Sequence, residues 1–391
     1  MSVSPALLHT ATEAFCSRYG REPAAIAAAP GRVEVLGNHT DYNLGCVMSG
    51  AIDRHTLVLA GPSSDAHAHV RSLQTDTEAV FNPAAPQSLP QCRWADYVQG
   101  VVHELSTLGI RIPPFQALIH SDIPRGAGLS SSAALEVAVA LALLALTGDT
   151  LPPWEVAKLA RRAENQFVGM PCGILDQFSS VFGQEDSVLY LDVRSEEQHA
   201  APLPASPDLR IVLVHSRSPH SLTNAPYAQR VSECRQACAW LSERLQRPME
   251  SLRDVDPDTL LPCLTDMPEI LRRRAAHVVY ETDRVQRAYA AMQRGDVRTM
   301  GELMYLSHAS SRDLFENSLP ELDLLVQLAH HHGALGARLT GGGWGGAILA
   351  LTPAGSTERF QADVLRDYAA ATQIKGDAFV CRFSQGAHRL M

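Results

Sequence analysis

PRGAGLSSSAA, residues 124–134, lies between a strand-like run at 115–121 and a long apolar run that opens at Ala133. Glycines here let backbone N–H groups turn toward one anion. A helix starting near Ser132 aims its positive dipole end at the same point. Three serines add hydroxyl donors and a possible Mg²⁺ ligand. Together these groups can cradle a triphosphate, with Gly126, Gly128, Leu129, Ser130, Ser131, Ser132 and Ala133 as the candidate contacts. The same residues also suit a Ser-capped helix after a flexible loop.

A lysine-based phosphate site is excluded by count. Of 33 Lys+Arg only Lys158 and Lys375 are lysine, and neither follows glycine before Ser or Thr or sits in a kinase-type strand. Two further motifs flank the loop. GRVEVLGNHTDYNLG, residues 31–45, is an apolar strand ending in a loop dense in polar groups. Arg32, His39, Asp41 and Tyr42 there suit a hydroxyl-rich ligand, because carboxylate and imidazole can bond sugar oxygens in pairs. Asn, Thr and Asp also favour Asx turns, so a plain loop fits equally. LTGGGWGG, residues 339–346, precedes a strand, and its glycines imply close approach of backbone to another group. A dinucleotide fingerprint is disfavoured, since no strand leads into it and no helix follows.

The chain of 391 residues is long enough for two domains, and 46% hydrophobic with 19% charged residues is a globular composition. A net charge of −9 gives no footing for nucleic acid or an anionic membrane. Eight scattered cysteines without a CxxC pair read as free thiols of a reducing cytosol, so a cytoplasmic location is expected. No signal peptide is evident at residues 1–10, and the longest apolar run, 137–147, is too short to span a bilayer. Periodicity predicts helices at 6–19, from 133 onward, and at 154–167, 227–246, 268–294 and 297–306. Strands are expected at 32–36, 56–60, 115–121, 188–192, 211–215 and 347–351. The mixture indicates α+β layers, and the Pro/Ala-rich stretch 198–207 is the expected linker.

The three motifs, in this order, resemble the signature of the GHMP kinases, and the galactokinase family among them. GRVEVLGNHTDYNLG is similar to that family's signature loop, MPCGILDQFSSVFG from Met170 to its catalytic-base segment, and HVVYETDRV, ELMYLSHASSRDLFENSLPELDLLV and GARLTGGGWGG to its C-terminal half. The likeness runs from about residue 30 to 351. It implies a two-domain fold, residues 1–200 carrying the phosphate loop and 205–391 the glycine-rich segment, with the active site in the cleft between them. The implied activity is MgATP-dependent phosphorylation of galactose at its anomeric hydroxyl.

Residue by residue, the resemblance implies Asp176 as base, a role for which a carboxylate beside the anomeric hydroxyl is suited. Arg32 matches the arginine beside that base and the γ-phosphate. Glu164 and Ser132 match the Mg²⁺ carboxylate and hydroxyl, and Trp94 the residue flanking adenine. His39, Asp41, Gly173 and Tyr227 match sugar-contacting positions. From sequence alone Asp176 is equally a helix cap, Arg32 and Glu164 surface ion-pair partners, and Trp94 or Tyr227 core residues. The implied partners are a small sugar and MgATP, with no nucleic acid and no membrane, in a monomer or weak oligomer.

One position departs from the pattern. Galactokinases usually carry Glu where this chain has Asn38, at a site associated with the sugar's 6-hydroxyl. Either Asn38 still bonds that hydroxyl, or a C6 carboxylate is tolerated and the sugar is galacturonate, or N-acetylgalactosamine is accepted. A non-catalytic sugar sensor is a rival class, expected to have lost the phosphate loop or the base. Mevalonate and homoserine kinases share the phosphate loop but not the HTDY loop.

Overall fold

The computed structural model describes residues 3–89, 93–203, 208–218 and 225–391. Its helices are α1 (Pro5–Tyr19), α2 (Trp94–Thr107), α3 (Ser131–Thr147), α4 (Pro153–Arg162), α5 (Leu175–Phe182), α6 (Ala225–Arg244), α7 (Pro257–Leu260), α8 (Glu269–Gln293), α9 (Val297–Ser310), α10 (Pro320–His331) and α11 (Thr357–Thr372). The strands are β1 (Ala25–Leu36), β2 (Cys46–Pro62), β3 (Ala68–Ser72), β4 (Thr77–Phe81), β5 (Phe115–Ser121), β6 (Ser187–Asp192), β7 (Glu197–Pro202), β8 (Leu209–His215), β9 (Gly336–Thr340), β10 (Ala347–Pro353), β11 (Asp377–Cys381) and β12 (His388–Arg389).

Strand alternation builds the first sheet, ordered β12-β1-β2-β5-β3-β4, with β6 paired to β2 and β7 to β6. Ile26, Ala28, Leu57, Leu59 and Leu118 pack on one face against Leu7, Ala11 and Phe15 of α1. Ala27, Ala29, Val58, Ala60 and Ala117 share the opposite face with α2 and α3. Both faces are covered, which is why all twelve residues of β1 are buried. Helix α3 is apolar almost all round and lies inside the domain, as such a helix must. Each Val or Leu it buries contributes about 1.5–3 kcal/mol.

The second sheet, β11-β8-β10-β9, is antiparallel throughout. Val212, Val214, Ala337, Leu339, Ile348 and Ala350 face α10 and α11. Ile211, Leu213, Leu349 and Leu351 turn the other way and join the core that also holds β1 and α3. The two halves therefore share apolar contact across the cleft. Only β3 with β5 pairs in parallel among the described residues, in keeping with α+β layers.

Three local outcomes differ from the periodicity reading. The expected 154–167 helix is α-helical to Arg162 and then widens into a π turn, Ala163–Val168. Single π turns recur at functional sites, and this one carries Glu164. Residues 198–202 of the expected linker belong to β7, hydrogen-bonded to β6; residues 204–207 lie outside the described residues. The last residues return to the first sheet: β12 pairs with β1, and Phe383 bridges to Ile52 of β2.

Candidate active site

Strand β1 delivers Arg32 to the foot of the phosphate loop. Its Nε donates to Asp176 Oδ1 at 2.8 Å, Nη2 lies 2.6 Å from the same oxygen, and Nη1 donates to the Gly128 carbonyl at 2.6 Å. Ser130 Oγ donates to Asp176 Oδ2 at 2.5 Å. Ser130 stands at the N-cap position of α3 in the left-handed region, φ 55°, yet makes no side-chain cap bond. Asp176, in the first turn of α5, likewise caps nothing. The capping alternatives therefore fail among the described residues: Ser130 is spent on Asp176, and Asp176 accepts from Arg32 and Ser130. A left-handed non-glycine residue is strained and persists only where its surroundings hold it.

The phosphate loop meets LTGGGWGG backbone to backbone. A Cβ on Gly128 would stand 2.9 Å from the Thr340 carbonyl, and one on Gly341 would stand 2.7 Å from that of Gly128. Both have positive φ, 72° and 78°. Only glycine satisfies the contact and the conformation together.

A cavity of about 320 Å³ opens beside this junction, lined from one side by the signature loop, the phosphate loop and the Asp176 segment, and from the other by Tyr227 and residues 342–346. Arg32, Asn38, His39, Asp41, Gly126, Gly128, Leu129, Ser130, Ser131, Ser132, Glu164, Gly173, Asp176 and Tyr227 all reach it. Ala133 is buried in the first turn of α3 behind the loop. Trp94 is not among the lining residues. It packs on Ala79 and Ala95 at the start of α2, and its indole N–H donates to Thr77 Oγ1 at 2.9 Å.

Asp41 is held by two backbone donors, Leu175 N at 3.1 Å and Tyr42 N at 2.9 Å. Burial raises its pKa even so. Gly173 lies against it: a Cβ there would stand 1.8 Å from Asp41 Oδ2. His39 has both ring nitrogens occupied, with Nε2 2.9 Å from the Gly342 carbonyl and Nδ1 2.9 Å from Tyr42 Oη. The carbonyl can only accept, so Nε2 carries the proton and Nδ1 accepts from the tyrosine. Burial pulls the His39 pKa down to about 3. This neutral ring is a wall of the site, packed on Phe315 and Tyr227.

Asn38 is 1% exposed. Its Nδ2 donates to Gly341 O at 2.8 Å and Glu34 Oε2 at 3.3 Å, while Oδ1 accepts from Asn317 at 2.7 Å and Ser311 at 3.3 Å. Beneath it, Glu281 Oε1 accepts from Gly37 N and Ser307 Oγ, and Oε2 binds Arg284. Burial would raise Glu281, but Arg284 and Arg338 bring it down to about 2. The signature loop is thus bolted to α8 and α9.

An acidic group lies behind the loop serines. Ser132 hydrogen-bonds Glu164, whose Oε2 also accepts from Gln177 at 2.7 Å and from the Cys172 thiol. Burial, then the nearby Asp176 charge, pushes Glu164 up to about 7. Glu136, one turn beyond Ser132, is fully buried, and its Oε1 has no hydrogen-bond partner among the described residues. Burial and Glu164 raise it well above the usual range. Excess buried carboxylate beside a hydroxyl is the donor chemistry of a hard cation. No cage of three or more His, Cys, Asp or Glu exists among the described residues; a nucleotide-bound Mg²⁺ needs only one or two protein oxygens.

Glu34, Glu136 and Gln177 were not singled out from sequence. Glu34 had a signal, since it alternates with Arg32 on one strand face. Glu136 had one too, as the lone acid in an apolar helix. Gln177 had none beyond adjacency to Asp176.

Comparison with known proteins gives three family matches. GHMP kinases N terminal domain matches residues 96–184, the galactokinase galactose-binding signature residues 13–62, and GHMP kinases C terminal residues 288–370. A galactokinase of Roseiflexus sp. (strain RS-1) is 42% identical over 380 residues, 97% of this chain and 96% of that one. The Lactococcus lactis galactokinase complexed with galactose superposes with TM-score 0.92 at 31% identity, covering 98% of this chain and 100% of the other. Methanococcus jannaschii mevalonate kinase, at 19% identity and TM-score 0.64 over 92% and 98% of the two chains, shares the fold.

Proposed function

The chain belongs to the galactokinase family of the GHMP kinases, and from that membership we propose how its cleft is used. The reaction is ATP-dependent phosphorylation of galactose. The observation that carries the residue assignment is the Arg32–Asp176–Ser130 linkage at the foot of the phosphate loop.

Asp176 accepts the proton of the anomeric hydroxyl. That oxygen bonds to the γ-phosphorus as the bond to ADP breaks, giving galactose 1-phosphate and ADP. Arg32 and Ser130 occupy part of the carboxylate's acceptor capacity and fix its plane, leaving Oδ2 a free lone pair for the sugar. The guanidinium bridges Asp176 and the loop carbonyl, so its charge reaches both the base and the phosphoryl group in transfer. Phosphates are held by N–H groups of residues 126–133 at the N-terminus of α3. Ser132 and Glu164 would hold Mg²⁺, which supplies charge neutralisation to the phosphates when bound. Asp41 and the backbone near Gly173 take sugar hydroxyls, with Tyr227 closing the site from the other domain. Trp94, outside this cavity at the start of α2, is assigned to the adenine on the family pattern alone.

The sensor alternative is disfavoured because the loop, Arg32, Glu164 and Asp176 are intact and assembled. The test is ADP release with MgATP against galactose, galacturonate, N-acetylgalactosamine, glucose and arabinose. Galactose is the expected substrate, and Asp176→Asn is expected to lower kcat by about 10²-fold or more. An Asp176→Asn enzyme with kcat near wild type would remove Asp176 from the chemistry.

A further inference from the structure

We infer that Glu34 selects the sugar: its carboxylate accepts a hydroxyl at the end of the ring remote from Asp176 and excludes sugars charged at that end. The inference rests on the galactose reading above and deepens it.

Position comes first. Arg32, Val33 and Glu34 pair in regular register with Ala51, Gly50 and Ser49, so Arg32 and Glu34 share a face of β1. Two residues of strand place Glu34 about 6–7 Å beyond Arg32, comparable with the span of a hexose ring. Both line the cavity. With Arg32 fixed on the base at the reacting end, Glu34 stands at the other end.

Capacity comes second. A side-chain amide has two donors and two acceptor sites, and Asn38 spends all four on Gly341, Glu34, Asn317 and Ser311. It is a scaffold with no valence left for a ligand. Glu34 Oε1 is taken by Arg338 Nη1 at 3.0 Å, but among the described residues Oε2 has only the long 3.3 Å contact to Asn38. That oxygen has room for a hydroxyl donor. A sugar carboxylate offers no proton and brings like charge to a buried carboxylate. The exchange of Glu for Asn at position 38 thus leaves the site with a carboxylate, now borne by the strand.

Burial raises the Glu34 pKa; of the charged groups facing it, Arg338 and Arg32 favour its ionised form and Glu281 opposes it. Arg338 is fully buried, with Nε and Nη2 unpartnered among the described residues, and Glu34 is also its direct charge partner. A purely structural role must therefore be separated from a selective one.

The experiment measures kcat/KM for galactose, its 3-, 4- and 6-deoxy analogues and galacturonate, in wild type and Glu34→Gln, with KM for ATP in parallel. In wild type one deoxy analogue is expected to be strongly penalised. In Glu34→Gln that penalty falls about 10-fold or more, the others stay within about 2-fold, and galacturonate becomes a substrate or competitive inhibitor. Because Glu34→Gln strands Arg338, Glu34→Gln with Arg338→Met is measured beside it, folding being checked by thermal melting. Equal change in every deoxy penalty, or none, in a folded variant overturns the inference. Wild-type turnover of galactose separately tests the reading on which it rests.

Discussion

Gly173→Ala is the sharpest probe of the sugar side of the cleft, because the structure sets its consequence. The new methyl would lie 1.8 Å from Asp41 Oδ2 and 2.0 Å from its Cγ, far inside van der Waals contact. The backbone around Gly173 is tied through Cys172 to Asn165, 2.7 Å from the Cys172 amide, so the carboxylate is the part that yields. Turning it away breaks its 3.1 Å bond from Leu175 N. A hydrogen bond to a charged group is worth about 1.5–3 kcal/mol, or about 10–100-fold in an equilibrium constant. If Asp41 binds galactose, the KM for the sugar should rise by that order while the KM for ATP stays within about 2-fold. Steady-state kinetics with either substrate varied is the assay. The second arm is Asp41→Ala alone and combined with Gly173→Ala. A substitution acting through Asp41 has no further effect once Asp41 is gone. Additive losses in the double variant, or an unchanged sugar KM in a folded Gly173→Ala enzyme, would falsify the assignment.

Three further outcomes are expected. Arg32→Lys keeps the charge but loses the fork joining Asp176 to Gly128 O; kcat should fall about 10²-fold with KM for ATP nearly constant, read in the same ADP-release assay. Glu164 has its folded pKa raised to about 7 from 4.5, so the folded state binds the extra proton and stability falls as pH rises through that window, by about 3 kcal/mol. Urea melts of the metal-free protein at pH 4.5 and 7.5 should show this slope, and Glu164→Gln should flatten it. Trp94→Ala should raise the KM for ATP about 3–10-fold without moving the KM for galactose; a change in melting temperature alone would mark Trp94 as a packing residue.

What could be read in the sequence was what composition makes local. Glycines and serines at 126–132 announce an anion site because few other sequences present so many backbone donors. The apolar run after Ala133 could only be a buried helix. The juxtaposition of Arg32 with Asp176 carried no local signal, since it spans most of the first domain. The π turn at Glu164 could not be read from a 3.6-residue period, because it breaks that period. Strand β7 was hidden by Pro and Ala in an edge strand, where proline is tolerated. The largest gap was Asn38. Sequence made it the interesting substitution, whereas the folded chain surrounds it with protein partners and puts the open carboxylate oxygen four residues earlier.

Strand β12 closes one edge of β1, with Arg389 opposite Ala27 and His388 opposite Ala28, and the ring of Phe383 lies over Gly50. In chain order the strand that carries Arg32 lies more than 350 residues before its neighbour on that side, Ala27 being paired with Arg389, so the two are made at well separated times. During that interval an apolar strand displays unpaired amides and carbonyls, the kind of edge that recruits other chains. Pairing so distant in sequence is also slow to form. The folding chain is accordingly exposed to misassembly at the strand carrying Arg32 until β12 pairs with it, so its yield in cells should depend on chaperone supply more than its final stability suggests.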